Sequence, residues 1–457
     1  MKIVFIIQRT TTYRYFAPLI AAGIKRNHKV ECWLNYMHPK NDLKGYLFPH
    51  IEFSPFYNQK HENLTYRKIR NKYEYEKLFI EEKDVDYYVS FHPFTDYYFP
   101  AKEEIIKRIQ KKWCIIMHSL TESFAELILY KDFLNYKYNP FFFVSSEHIH
   151  QEGIDFIKKF YPNSISFFSK ERMDVVPVGS TMLDPSNRQL NTDKIKKKYG
   201  INKDKNILIY LPYPYQAEKI GGRYHGDKEY GWAAAFSGFH INEFLMSRRN
   251  NKKIFLSLAK YLFHKFKCTK QILFNHEARN YFIKGLNEPA IIKSLRKFCD
   301  NNGLVFVVKP RKKYPCVEEI YKLADIVIED DESQQFPSKL QELFFISELT
   351  IGCLTSAVIE SIYHNVPFVN IEIPNSAFYD HETRYLYDYK KGSIYNYQNV
   401  AYNFSINEMI KKFCKMKKND FKFDKKLRQN YLEKYVGAEE YPASENFYKF
   451  IESVKVA

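Results

Sequence analysis

The chain opens on an unbroken apolar run, Ile3-Val4-Phe5-Ile6-Ile7, which Gln8 and Arg9 bring to an end. A strand apolar at every position, not at alternate ones, is what a parallel sheet covered on both faces requires. A helical pattern follows over Tyr15 to Asn27, and then a second apolar stretch, KVECWL at 29–34. Strand, helix, strand with short connections predicts the start of a parallel α/β sheet. Further strands are expected at 86–91, 113–118, 141–146 and 173–179, with helical patterns at 102–112 and 150–161 among them. Residues 1–185 therefore read as one doubly wound, Rossmann-like domain.

A charged stretch at 191–206 interrupts this alternation and reads as a short helix at a boundary. A new α/β series begins at 207–213 and continues through 304–309, 325–330, 349–354 and 366–371. It predicts a second Rossmann-like domain over 200–385, with a basic insertion at about 240–300. Residues 386–457 read as a polar C-terminal helical segment. Within the insertion, Ile254, Leu258, Leu262 and Phe266 recur at spacing four among Lys252, Lys253, Lys260, Lys265 and Lys267. A helix over 252–267 of this kind could lie on an anionic membrane surface, or pack its apolar stripe on a core.

At 457 residues the chain is long enough for two or three domains, and 45% hydrophobic residues can fill more than one core. Lys and Arg number 70 against 53 Asp and Glu, a net charge of +17 that favours anionic partners. Seven cysteines, none in a CxxC pair, argue against a disulfide scaffold or a structural zinc site. The first residues lack the long apolar stretch and cleavage site of a signal peptide, and no run of about 18 apolar residues occurs. A cytoplasmic protein is expected, with a peripheral seat on the inner face of the membrane as the variant.

Four segments could carry chemistry. In 347–374 a strand passes through a tight turn into a helix, and Gly352, Thr355 and Ser356 sit at the junction. Backbone N–H groups and hydroxyls at such a place cradle a phosphate, although simple capping would use the same residues. Glu360 lies one helical turn beyond Ser356, where it could bond a ribose. The strand at 304–309 runs straight into Lys309, Arg311, Lys312 and Lys313. Ligands of open α/β sheets bind beyond the carboxyl ends of strands, and cations there would neutralise a diphosphate leaving group. A Pro- and Gly-rich loop after 207–213 holds Pro214, Arg223, His225 and Asp227, and could close over a donor. In the first domain the strand at 113–118 ends in His118, followed by Ser119 and Glu122. An imidazole suits a general base for a hydroxyl, with His92 and Asp96 as competitors and Arg9 as a further contact. The chain has no GxxxxGK[ST], no GxGxxG after its first strand, no HExxH and no recognised nucleic-acid motif.

Taken in order, VVPVGSTMLD (175–184), IKKKYGINKDKNILIYLPYP (195–214), VFVVKPRKKYP (305–315) and ISELTIGCLTSAVIESIYHNVPFVNI (346–371) resemble a family. They look like the GT-B glycosyltransferases, and within them the CDP-glycerol glycerophosphotransferases and related bacterial capsule and teichoic-acid transferases. Lys309-Pro310 stands where glycerophosphotransferases usually show His-Pro. Gly352 to Ser356 replaces their Asp-Tyr-Ser-Ser turn, and His118-Ser119 their His-Gly pair. These differences direct the reading toward a sugar donor.

The resemblance implies two Rossmann-like domains facing across a cleft. The first would hold the acceptor and the second the nucleotide donor, with 386–457 packing back toward the first. Thr355, Ser356 and Gly352 would hold the phosphates, Glu360 the ribose, and Pro214, Arg223 and His225 the rest of the donor. Lys309 and Arg311 would stabilise the departing phosphate, and His118 would deprotonate an acceptor placed by Arg9, His92, Asp96 and Glu122. The expected reaction is inverting transfer from a CDP-, CMP- or UDP-linked sugar to a hydroxyl of a surface glycan or lipid-linked acceptor. No metal, no other cofactor and no nucleic-acid partner is expected. The competing readings are a CDP-glycerol-type glycerophosphotransferase, a nucleotide-sugar 2-epimerase, and a non-enzymatic module binding anionic polymer or membrane.

Overall fold

A computed structural model describes residues 1–7, 10–35, 61–91, 103–109, 112–116, 140–163, 165, 174–184, 190–212, 286–310, 316–329, 337–373, 389–437 and 442–454. The chain forms two compact units: Met1–Leu190 with Asp331–Glu342 and Arg428–Ala457, and Asn191–Asp330 with Leu343–Leu427.

The first unit contains strands β1 (Lys2–Ile7), β2 (Lys29–Asn35), β3 (Leu64–Ile69), β4 (Tyr87–Ser90), β5 (Trp113–Ile116), β6 (Phe141–Val144) and β7 (Asp174–Pro177). They form one sheet in the order β3-β2-β1-β4-β5-β6-β7, with every neighbouring pair parallel. Ile3 to Ile7 are fully buried, as the unbroken apolar run demands. Helices α1 (Thr10–Lys25), α2 (Lys72–Glu81), α3 (Glu103–Ile109) and α4 (Glu147–Phe160) accompany the strands. Asn71 and Ser146 cap α2 and α4, accepting from the N–H groups of Glu74 and Ile149. Trp33 packs edge-on against Tyr75, Phe79 and Tyr88, an aromatic cluster that joins β2, α2 and β4.

The second unit contains β8 (Asn206–Tyr210), β9 (Leu304–Val308), β10 (Ile326–Val327), β11 (Ser347–Gly352), β12 (Phe368–Glu372) and β13 (Ala401–Ser405). Their order is β10-β9-β8-β11-β12-β13, again with parallel pairs throughout. Its helices are α5 (Thr192–Lys198), α6 (Glu288–Asn302), α7 (Glu318–Leu323), α8 (Lys339–Phe345, on the boundary between the units), α9 (Ala357–Tyr363) and α10 (Ile406–Lys411). Leu208, Phe306, Ile351 and Val369 from four neighbouring strands share one core with Leu295 and Phe298 of α6.

Two last helices, α11 (Lys425–Tyr435) and α12 (Ala443–Ser453), bring the chain back to the first unit. On α12, Tyr448 donates its hydroxyl to the Leu19 carbonyl of α1 at 2.9 Å. The close approach depends on Gly23, where a Cβ would lie 2.2 Å from that hydroxyl. Arg26 pairs with Glu445 and Glu452.

Numbered within itself, each sheet runs 3-2-1-4-5-6, the doubly wound order, and the first adds a seventh strand. The α/β class with two parallel sheets is therefore as the sequence predicts. Two strands escape the sequence reading, β3 and β13. In β3 only Leu64 and Ile69 are buried, and in β13 only Ala401. Both are edge strands, so neither needs the continuous apolar run that marks the others.

Candidate functional site

In a doubly wound sheet, ligands bind outside the carboxyl ends of the strands where the order reverses. In the second unit the reversal falls between β8 and β11. Tyr210 and Gly352 end these strands, and the Leu211 N–H extends the ladder by bonding the Ile351 carbonyl at 2.8 Å. On the other side of β8, the Lys309 N–H bonds the Tyr210 carbonyl at 3.0 Å. Lys309 and the turn after Gly352 thus share one edge of the sheet, two strand spacings or about 10 Å apart. That distance is too long for a direct bond and suits two contacts to one extended anion.

The turn itself is tightly specified. A Cβ on Gly352 would lie 3.0 Å from Thr355 Cγ2 and 3.1 Å from the ring of Phe368, so any larger residue would crowd both. Leu354 has φ +45°, the left-handed region, which costs a branched L-residue about 1–2 kcal/mol. Its N–H is held at 3.2 Å by Oδ1 of Asn370, a fully buried residue of β12. Asn370 Nδ2 donates to Asn403 Oδ1 of β13 at 2.7 Å, and Asn403 Nδ2 donates to Glu372 Oε2 at 2.5 Å.

Thr355 Oγ1 accepts from the Ala357 N–H at 3.3 Å, so part of the turn's polarity does serve as local capping. Ser356 takes the N-cap position without a side-chain capping bond. The Val358 and Ile359 N–H groups find the carbonyls of Thr355 and Ser356, whereas the N–H groups of Thr355 and Ser356 have no backbone acceptor among the described residues. The following helix, α9, spans seven residues, and a dipole of two turns adds little. Hydroxyls, backbone donors and the cation of Lys309 therefore give this edge its character. Glu360, one turn along α9, is buried at 3% exposure, and Lys309 at 8%.

Behind the edge, Tyr210 donates its hydroxyl to Glu288 Oε1 of α6 at 2.6 Å. Burial, with the Glu288 charge beside it, pushes the Tyr210 phenol well up. The same two causes raise the Cys353 thiol, and they push Cys316 up to about 12. Both thiols stay protonated at neutral pH, which rules them out as resting thiolate nucleophiles.

Of the residues singled out by sequence, Gly352, Thr355, Ser356 and Lys309 stand at this edge, and Glu360 is buried one turn into α9. Arg9, His92, Asp96, His118, Glu122, Pro214, Arg223, His225 and Arg311 lie outside the described residues, as does 252–267. The sequence does not single out Asn370 or Asn403. Their only sequence signal is polarity inside two otherwise apolar or mixed strands. Among the described residues there is no cluster of metal-ligating side chains, no disulfide, and no helix long and apolar enough to cross a membrane.

No protein-family model and no curated protein matches the chain. Solved structures do. UGT89C1 of Arabidopsis thaliana in complex with UDP-L-rhamnose superposes with a TM-score of 0.50 at 9% identity, covering 99% of this chain and 98% of that one. The wall teichoic acid polymerase TagF, H548A variant, gives 0.49 at 12% identity over 99% of this chain and 88% of that one. MnaA of S. aureus with UDP gives 0.44 at 13% identity over 100% and 99%. At such identity the likeness is one of fold, and it rests on the first of the three. Two parallel Rossmann-like sheets of this order make the chain a GT-B fold protein.

Proposed function

We propose that the chain is a glycosyltransferase that moves a sugar from a nucleotide-activated donor to a hydroxyl of a surface-glycan acceptor. The observation that carries this reading is the shared edge of the second sheet, where Lys309 and the turn at 352–356 flank β8 beside the point of strand reversal. A diphosphate laid along that edge would meet the hydroxyls and N–H groups of Thr355 and Ser356 at one end and the Lys309 ammonium at the other. Fixed donors of this kind favour charge that develops on a leaving phosphate, and they do so most strongly where water is scarce. Arg311 adds a second cation, and Glu360 bonds the ribose. Pro214, Arg223 and His225 complete the donor site. His118 removes the proton from the acceptor hydroxyl, with Arg9, His92, Asp96 and Glu122 placing the acceptor, and direct displacement inverts the anomeric centre. Lys309 and Arg311 supply the positive charge that a metal supplies elsewhere.

Thermal-shift measurement against CDP, CMP, UDP and GDP tests the donor half. A ligand that prefers the native state raises the melting temperature. At least one diphosphate should do so for the wild type and much less for Lys309→Ala. A flat response to all four contradicts the reading. Glu360→Gln keeps the shape of a buried side chain, and unchanged nucleotide affinity in that variant would remove Glu360 from the site. His118→Ala should retain nucleotide binding and lose transfer. Conversion of a nucleotide sugar to its C2 epimer without acceptor would replace the transferase reading with an epimerase one.

A further inference from the structure

We infer that Asn370 is a positioning residue that holds the turn at 352–356 in its donor-binding shape, through a relay of amides that ends on Glu372; this inference rests on the function proposed above. The relay has a fixed direction. A backbone N–H can only donate, so the bond from Leu354 requires the oxygen of the Asn370 amide at 3.2 Å. The Asn370 nitrogen is then left to donate, and it meets Asn403 Oδ1 at 2.7 Å. The Asn403 nitrogen in turn faces the Glu372 carboxylate, which accepts only. Both ends agree, so the amide orientations are determined by chemistry and not by choice.

The relay acts on the one residue of the turn that resists its conformation. Leu354 is in the left-handed region, which a leucine leaves readily unless something outside the turn holds it. The bond from Asn370 does that. Asn370 is fully buried, and its partner Asn403 is half-buried on the edge strand directly opposite in the parallel register. A polar residue with no exposure inside a strand that has neighbours on both sides is costly unless its bonds are made. Here its side-chain bonds serve the turn and the anchor behind it. Released from Asn370, the chain at 354 would relax, and the Thr355 and Ser356 donors that follow would lose their common direction.

The test uses the full-length protein with UDP and CDP as probes, by titration calorimetry. Wild type, titrated with CMP and GDP as well, establishes which nucleotide binds; if it binds none of the four, the proposed function fails, and this inference with it. If it binds, Asn370→Leu should weaken the affinity about tenfold, roughly the worth of one buried hydrogen bond and the order it imposes. Adding Leu354→Asn, a residue at ease in the left-handed region, should recover most of that affinity while leaving the loss of melting temperature in place. A purely structural role would lower the melting temperature without this recovery. Wild-type affinity in folded Asn370→Leu, or no recovery in the double variant, overturns the inference. Should Asn370→Leu fail to fold, Asn403→Ala at the half-buried end of the relay should show a smaller loss of affinity in the same direction, and unchanged affinity there overturns it equally.

Discussion

The two sheets share a strand order and differ in what their polar groups are bonded to. In the first unit a network of ion pairs starts at the amino end of β1 and crosses to β3. Lys2 at the start of β1 pairs with Glu82 and Glu31, and Arg67 of β3 pairs with the same two carboxylates. In the second unit Lys309 directly follows β9, Tyr210 ends β8 with its hydroxyl on Glu288, and Asn370 lies in register with Gly352, the last residue of β11. In the first unit the buried Ser90 that ends β4 accepts from Trp113 Nε1, and Ser146, just past β6, caps α4. Amino-end networks tie strands together and face no ligand, whereas carboxyl ends of doubly wound sheets are where ligands bind. The first unit's described polar groups are bonded within the fold, and the function proposed above gives those at the second sheet's carboxyl edge a ligand.

Substitutions can break or sharpen this contrast. Trp33→Ala removes a fully buried indole from the first unit and should cost about 3–5 kcal/mol in chemical denaturation. Measured below the melting transition, nucleotide affinity should hardly change, because the substitution touches nothing at the second sheet's edge. Lys309→Ala should do the opposite. Loss of a charge-assisted bond to phosphate is worth about 1.5–3 kcal/mol, a fall of about 10- to 100-fold in nucleotide affinity.

A matched pair of glycines comes next. A Cβ at Gly23 meets the Tyr448 hydroxyl, and one at Gly352 meets Thr355 and Phe368, so alanine at either should cost about 1–3 kcal/mol by overpacking. Only Gly352→Ala should also weaken nucleotide binding. Equal effects of both glycines on affinity would erase the distinction between the units.

The smallest effect is a pH dependence. The bond from Lys2, with Arg67 nearby, holds the Glu82 carboxyl below its ordinary value against the opposing effect of burial. A depressed carboxylate stabilises the fold above its unfolded pKa of about 4.3, and that contribution disappears as pH falls through the lower folded value. Glu82→Gln should therefore cost about 0.5 kcal/mol at pH 7, an amount already reduced for solvent screening, and nothing at acid pH where Glu82 is protonated in both states.

Much of this architecture is legible in the sequence for a physical reason. Strands covered on both faces are apolar through most of their length, so β1, β8, β9, β11 and β12 announce themselves. Lys309 is visible because a cation directly ends such a run, and Gly352, Thr355 and Ser356 because small polar residues mark the passage from strand to helix. The edge strands β3 and β13 carry no such pattern. The Asn370–Asn403 contact is invisible to local reading. It joins residues 33 apart, and only the register of β12 on β13 sets them opposite.

Hydrogen–deuterium exchange of the wild-type protein with saturating UDP or CDP tests the central claim most directly. Exchange should slow at residues 352–356 and around Lys309, while the amino ends of β1 and β2 keep their rates. Nucleotide bound with its protection elsewhere, and none at 352–356, would contradict the account.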